Sequence, residues 1–122
     1  MKAIGLKVGR KAEIVNFDGL DDMQRYVGGW IEAVYPYGDP VAIVLNEEGK
    51  IQGLEFNRGI QDEIGDYYDW IAGNAFIIGV DENDFCDISE DMLEKYMNLY
   101  EWPQTYVDGY IWDYLWDYLK EE

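Results

Sequence analysis

Short apolar stretches separated by turn residues dominate the first eighty positions of the chain. Their length, alternation and β-branched content are typical of strands. The hydrophobic pattern predicts six strands: Lys2–Val8, Lys11–Phe17, Trp30–Tyr35, Val41–Leu45, Lys50–Phe56 and Ala75–Val80. Gly9-Arg10 would join the first two strands in a hairpin, and Asn46 to Gly49 has the composition of a turn.

A first helix is predicted after the second strand. Asp18 can cap it, and Leu20, Met23 and Val27 fall on one face at helical spacing. Gly28 would end it, because glycine adopts the left-handed conformation at a helix C-terminus at little cost.

Two further helices are predicted in the last third of the chain. One begins at Asp87 or Ser89 and ends near Tyr100, because Pro103 cannot continue a helix. The other covers about Tyr106–Lys120, where the unit Trp-Asp-Tyr-Leu occurs twice in succession.

The pattern is weaker in two places. Ile60–Trp70 could be a short helix, although Gly65 would weaken it, and Asp81–Asp87 is expected to be an acidic loop. The element order predicts an α+β fold with an antiparallel or mixed sheet of five to six strands, one helix after strand 2 and two C-terminal helices. We expect a single domain, with residues 1–80 as an α/β scaffold and residues 81–122 as an acidic helical extension.

The acidic residues are distributed unevenly along the chain. The 122 residues include 26 acidic and 9 basic ones, a net charge of −17. Residues 1–58 have seven basic and nine acidic residues (net −2), whereas residues 59–122 have two and seventeen (net −15). Such a protein avoids nucleic acids and anionic membranes and favours basic protein surfaces.

The sequence offers little catalytic chemistry. It lacks histidine, the commonest general base, and has one cysteine, Cys86. Ser89 stands where a helix cap is expected. We therefore expect no catalytic residues, no metal site and no cofactor, although a carboxylate-based hydrolase stays an open alternative. The lone cysteine and the lack of a signal peptide or a long apolar segment predict a cytoplasmic protein.

Three acidic clusters are the candidate partner-binding residues. The first is Asp62, Glu63, Asp66 and Asp69; the second is Asp81, Glu82, Asp84, Asp87, Glu90, Asp91 and Glu94; the third is Asp113, Asp117 and Glu121. On a helix the third cluster would form one stripe with a rise of about 6 Å per step, comparable to the spacing of phosphates along a nucleic acid. Trp112 and Trp116 are either core residues or contacts at the edge of that stripe.

Three segments carry a resemblance to a known family. QRYVGGWIEAV (24–34), VLNEEGKIQGLEFNR (44–58) and IAGNAFIIG (71–79) resemble a small domain-of-unknown-function family that is common in phage, plasmid and conjugative-element proteins. The resemblance covers roughly residues 1–80 and rests on turn and strand motifs, so it implies no catalytic residues. It implies an origin in a mobile genetic element. Such elements carry small acidic proteins that block host nucleases, some by imitating DNA. The chain departs from the family's short form at residues 60–70 and 81–122.

These observations lead to one hypothesis and one alternative. The protein is expected to be an anti-CRISPR or anti-restriction inhibitor of phage or mobile-element origin, an acidic DNA or RNA mimic that occupies the basic nucleic-acid channel of a CRISPR effector or restriction subunit. The alternative is an acidic adaptor or assembly protein that binds a basic protein partner without any role in defence.

Overall fold

The computed structural model describes residues 1–82 and 84–113. These residues form ten strands and two helices, which are in chain order β1 (Lys2–Leu6), β2 (Glu13–Asn16), α1 (Leu20–Val27), β3 (Ile31–Val34), β4 (Val41–Asn46), β5 (Phe56–Gln61), β6 (Tyr67–Ala72), β7 (Ala75–Asp81), β8 (Asp84–Cys86), α2 (Glu90–Tyr100), β9 (Gln104–Val107) and β10 (Tyr110–Asp113).

The strands form one large sheet and two separate hairpins. The main sheet has the order β2-β1-β7-β4-β3, with β8 added beside β7, and every pairing in it is antiparallel. The hairpins are β5–β6 and β9–β10. The branched run of β7 lies at the centre of the main sheet, as expected for a strand that is buried on both faces.

Alternation along the central strands builds two cores. On one face, Phe76 and Ile78 of β7 pack with Met23 and Val27 of α1. On the other face, Ile77 packs with residues of α2 and of the β5–β6 hairpin. The main sheet therefore lies between α1 on one side and α2 with β5–β6 on the other, because successive residues of a strand point to opposite faces.

Both helices in the described residues follow from local signals, with one correction. Gly28 ends α1 with φ of 81°, and the Ser89 hydroxyl accepts a hydrogen bond from the Met92 N–H at the start of α2. The cap predicted at Asp18 is wrong, because the capping position is Gly19 and no side chain caps it. Asp18 instead donates its backbone N–H to the Asp22 carboxylate at 2.8 Å.

One prediction in the middle of the chain is wrong, and one possibility that the sequence left open is excluded. Of the strand expected over Lys50–Phe56, only Phe56 lies in a strand, as the first residue of β5; the rest is turns and irregular chain, in which the Leu54 N–H donates to the Gly49 carbonyl at 2.9 Å. Ile60–Trp70 is not a helix but most of the β5–β6 hairpin, and the Asp62 carboxylate orders its turn by accepting the Ile64 N–H. In both segments local side-chain and backbone hydrogen bonds decided the conformation.

The C-terminal helix prediction is also wrong over the described residues. Residues 104–113 form the β9–β10 hairpin, and Asp108 and Gly109 have φ of 53° and 85° at its turn. Positive φ at both central residues is the type I′ geometry that favours Asp-Gly and matches the twist of two paired strands. Residues 114–122 of the predicted helix lie outside the described residues.

The fold class needs correction as a result. The described residues form a mostly β protein with strands in three sheets and two helices, in place of an α+β protein with three helices. Part of the acidic loop expected over residues 81–87 is also a strand, β8, which pairs with the end of β7.

Candidate functional site

Several acidic segments meet at one end of the main sheet. Gly79 near the end of β7 pairs with Val41, the first residue of β4, so the β7–β8 turn lies where β4 begins. The start of α2 lies at the same end, because the Ile88 N–H donates to the Lys2 carbonyl at 2.9 Å. The tertiary structure thus places residues from β7, β8 and α2 around one edge.

The turn of the β5–β6 hairpin reaches this end as well. The Tyr96 hydroxyl donates to the Asp39 carboxylate at 2.6 Å, just before β4. Burial raises the pKa of Tyr96, the Asp39 carboxylate raises it further, and Glu63 in the hairpin turn adds to the same effect. Ile60, at the base of the same hairpin, packs in one core with Val41 and Tyr96, in agreement with a position of Glu63 near α2.

We define the acidic end as Asp39, Asp62, Glu63, Asp66, Asp81, Glu82, Asp84, Asp87, Glu90, Asp91 and Glu94. Two cations in the described residues lie there, and both are paired: Lys2 with Glu90 at 2.7 Å and Lys95 with Asp39. Eleven carboxylates against two cations give a net charge of −9 (2 − 11). Except for the half-buried Asp39 and Asp62, these acidic residues are exposed.

The opposite end of the main sheet has nearly balanced charges, with five basic and seven acidic residues and a net charge of −2 (5 − 7). The basic residues are Lys7, Arg10, Lys11, Lys50 and Arg58, and the acidic residues are Glu13, Glu32, Glu47, Glu48, Glu55, Asp69 and Glu101. Lys7 faces Glu13 at 3.8 Å and Lys11 faces Glu101 at 3.7 Å. The excess negative charge is therefore concentrated in space as well as in sequence.

Buried and half-buried tyrosines contact one another next to the acidic end. The hydroxyls of Tyr37 and Tyr100 lie 2.6 Å apart, and the rings of Tyr37 and Tyr96 lie 5.2 Å apart. Burial raises the pKa of Tyr37, although its hydrogen bond to Tyr100 opposes that effect. The neutral hydroxyls therefore add no negative charge and fix the segment that carries Asp39.

An aromatic cleft lies between the two hairpins, and its Tyr67 edge adjoins the acidic β5–β6 turn. It measures about 770 Å³, and its lining is Phe56, Tyr67, Tyr68, Asp69, Trp70, Tyr106, Gly109, Tyr110 and Ile111. Phe56 stacks on Trp70 with 5.7 Å between ring centroids and also contacts Tyr106 of the other hairpin at 6.0 Å. We use the name aromatic cleft for this set of residues.

Gln104 holds the two walls of the aromatic cleft together. Its Oε1 accepts the Gly59 N–H at 2.9 Å, and its Nε2 donates to the Tyr67 hydroxyl at 3.0 Å and to the Asp113 carboxylate at 2.8 Å. One side chain therefore links β5, β6, β9 and β10. A Cβ on Gly59 would overlap the Tyr67 ring and the end of Ile111, so glycine permits the close approach of the hairpins.

The candidate clusters from the sequence are only partly brought together. The second cluster lies together at the acidic end, whereas the first divides, because Asp69 lies on β6 and forms an ion pair with Lys50. Asp113 lies on β10, so the helical stripe that was predicted for it is wrong. Asp117, Glu121 and Trp116 lie outside the described residues. Trp112 is 58% exposed on β10, so it is not a core residue.

Sequence reasoning missed the aromatic cleft. Its walls come from residues 56–70 and 106–111, which are far apart in the chain and pair in separate hairpins. A usable signal was the unusual aromatic content of 16%, together with the Asp108-Gly109 turn that brings Tyr106 and Tyr110 into one hairpin.

The arrangement offers exposed carboxylates and exposed aromatic rings at the surface. Among the described residues, no group of three or more carboxylate or cysteine side chains has the geometry to hold a metal ion. Within the same residues, neither helix has the length and apolar character to cross a membrane. The site consists of surface carboxylates and aromatic rings, which recognise cations and apolar groups.

Comparison with known families assigns the chain to a family. A family model described as Domain of unknown function (DUF3846) matches residues 1–101. The chain belongs to this family. No curated protein and no solved structure matches it. The DUF3846 match extends beyond residue 80, where the resemblance noted in the sequence stops, and includes α2 and the whole acidic end. The β9–β10 wall of the aromatic cleft follows the matched residues.

Proposed function

We propose that this DUF3846 protein inhibits a nucleic-acid-binding defence complex of a bacterial host, either a CRISPR effector or a restriction enzyme. Its acidic end would occupy the basic channel that normally holds DNA or RNA. The observation that carries the proposal is the net charge of −9 at one end of the sheet, where both described cations are already paired. A basic surface is the complementary partner.

The carboxylates of the acidic end are held by ordered structure. The Asp62 carboxylate accepts the Ile64 and Asp66 N–H groups at 3.0 and 2.9 Å, which fixes the β5–β6 turn. The Ser89 hydroxyl fixes the start of α2, from which Glu90 and Asp91 project. Preorganised charges bind with a smaller loss of conformational entropy than charges on a flexible tail. This order supports competition with a phosphate backbone.

The mobile-element setting is part of the proposal. It is supported by the resemblance of residues 24–34, 44–58 and 71–79 to proteins common in phages, plasmids and conjugative elements. An inhibitor of host defence would benefit such an element directly. Rapid, salt-sensitive association is expected, because electrostatic steering between opposite charges weakens as ionic strength rises.

Two triple variants with the same change in charge test the proposal. The acidic-end variant has Glu63→Lys, Asp66→Lys and Glu82→Lys, and the opposite-end variant has Glu47→Lys, Glu48→Lys and Glu55→Lys. All six glutamates and aspartates are exposed, so both variants are expected to fold. Tagged protein is used to capture partners from nuclease-treated host lysate, and bound partners are eluted with a short DNA duplex.

The proposal predicts that the wild type and the opposite-end variant retain a nucleic-acid-binding defence subunit that DNA displaces. The acidic-end variant should lose that subunit and should no longer protect phage or plasmid in a plating assay. Equal loss in both variants would mean that only total charge matters, which contradicts an assigned end. Retention of a partner without any protection would replace the inhibitor with the adaptor function.

A further inference from the structure

The aromatic cleft exposes rings that a stable fold does not need to expose. Tyr67, Tyr68, Tyr106 and Tyr110 are 43%, 58%, 58% and 67% accessible, although they lie next to one another. Single exposed aromatic residues are ordinary, but a group of them around one concavity marks a binding surface. At about 770 Å³ the cleft has room for several side chains of a partner.

Charge selects the class of occupant. The cleft wall contains the Asp69 carboxylate, and Tyr67 directly follows the acidic turn that contains Asp62 and Asp66. Burial raises the pKa of Tyr68, and the neighbouring charges of Asp69 and Asp62 raise it further, in keeping with the position of these carboxylates near the wall. The net charge of −17 disfavours nucleotides and other anions there and favours a cationic group.

One ring of the cleft and one ring elsewhere already lie against lysines of the protein itself. The Lys50 ammonium lies 5.0 Å from the centroid of Trp70 and forms an ion pair with Asp69. The Lys11 ammonium lies 4.4 Å from the centroid of Trp102. An aromatic face next to a carboxylate therefore binds an ammonium group within this molecule. A guanidinium group suits such a site better, because it is planar, stacks on rings and is less strongly hydrated.

We propose that the aromatic cleft binds arginine side chains from an extended basic segment of the partner protein. The inference rests on the proposed function for the basic character of that partner. The aromatic rings of the β5–β6 and β9–β10 hairpins would stack on the guanidinium groups. The acidic end would contact the rest of the basic surface. Aromatic contacts would thereby add affinity that salt does not screen as strongly as surface charge pairs.

A labelled peptide tests the aromatic cleft without the partner. The probe is a fluorescein-labelled Gly-Ser-Arg-Gly-Arg-Ser-Gly peptide, and its control carries citrulline, a neutral analogue of arginine with nearly the same shape. Fluorescence anisotropy with the full chain should show that the arginine peptide binds at least about tenfold more tightly, since an exposed cation–π contact alone is worth a few fold and two arginines add. Equal binding of the two peptides would overturn the inference.

Variants of one cleft residue then separate ring stacking from charge. Tyr110→Leu removes an aromatic face and should weaken binding of the arginine peptide about threefold to tenfold, whereas Tyr110→Phe retains the face and should bind like the wild type. Trp30→Leu is the control, because Trp30 is a 69% exposed aromatic residue that lines neither the aromatic cleft nor the acidic end. Equal effects of Tyr110→Leu and Trp30→Leu would overturn the inference.

The peptide and capture experiments together distinguish a failure of the cleft proposal from a failure of the proposed function. Peptide binding that is abolished by the acidic-end variant but unchanged by Tyr110→Leu contradicts the cleft and leaves the proposed function standing. Peptide binding that depends on Tyr110, together with no displaceable partner in the lysate, supports the cleft and contradicts the proposed function.

Discussion

The main sheet and the β9–β10 hairpin use their strands in opposite ways. In β7, Ala75 to Ile78 are completely buried, and their side chains alternate between two cores. In β10, Tyr110 and Trp112 are 67% and 58% exposed. Burial of apolar surface stabilises the main sheet, whereas the β9–β10 hairpin keeps large aromatic rings accessible to solvent.

This difference separates the buried residues that stabilise the fold from the exposed residues of the proposed binding surface. The buried aliphatic residues of β1, β4 and β7 give a rigid base on which exposed residues can be held in fixed positions. Two polar side chains, Arg58 and Gln104, connect the hairpins to that base or to each other. Substitutions at these two positions therefore test whether the regions depend on each other.

Arg58→Met should have the largest effect. The buried Arg58 guanidinium donates to the carbonyls of Tyr100 at 3.0 Å, Arg10 at 2.6 Å and Lys7 at 3.3 Å, so it joins β5 to the end of α2 and to the β1–β2 loop. Methionine fills a similar volume but leaves these acceptors without that donor. We expect the free energy of unfolding to fall by about 3 kcal/mol, measured by urea denaturation.

The control for this prediction is Arg25→Met, which removes an exposed arginine that pairs with Asp22 on α1. It should change the free energy of unfolding by less than about 0.5 kcal/mol. If Arg58→Met costs no more than this control, apolar packing alone would hold the hairpin on the main sheet.

Gln104→Leu should have a smaller and local effect. Leucine cannot bond Gly59, Tyr67 or Asp113, so the β9–β10 hairpin should open more often while the main sheet stays intact. We expect protection of the amides of residues 104–113 to fall by about 1 kcal/mol in native-state hydrogen exchange. Gln52→Leu, in an exposed turn, is the control. Equal loss of protection in β7 would contradict the separation of the two regions.

Asp39→Asn should have the smallest effect, and that effect should depend on pH. Hydrogen bonds from Lys95 and then from Tyr96 lower the pKa of the Asp39 carboxyl below its ordinary value of 3.8. Because the folded-state pKa is lowered, the stabilising contribution is present above the unfolded value and is lost as the pH falls through the folded value.

Thermal unfolding of Asp39→Asn and wild type at several pH values checks this prediction. The variant should melt slightly below the wild type at pH 7, and the two melting temperatures should converge as the pH falls below 3.8. Asp21→Asn, an exposed residue of α1, is the control and should match the wild type at every pH. A difference that persists at low pH would show that the Asp39 charge is not the cause.

Sequence patterns predicted the main sheet well, because its strands carry strong local signals. The β1–β2 hairpin, the strands near 30–35, 41–45 and 75–80, and the helix that ends at Tyr100 are all confirmed. The same method failed for Tyr106 and its neighbours, because apolar residues in a short aromatic segment fit both periodicities. The Asp108-Gly109 turn was the local signal that could have decided the matter.

The sequence by itself determined the buried strands, the cap at Ser89 and the excess of carboxylates in the second half. Those properties depend on residue type and on the local sequence around each residue. Only the tertiary structure decided that Asp39, the β5–β6 turn, the β7–β8 turn and the start of α2 lie at one end of the sheet. It also decided that Phe56 meets Tyr106 across the aromatic cleft. Antiparallel register and layer packing bring these distant residues together, and neither is encoded in any short segment.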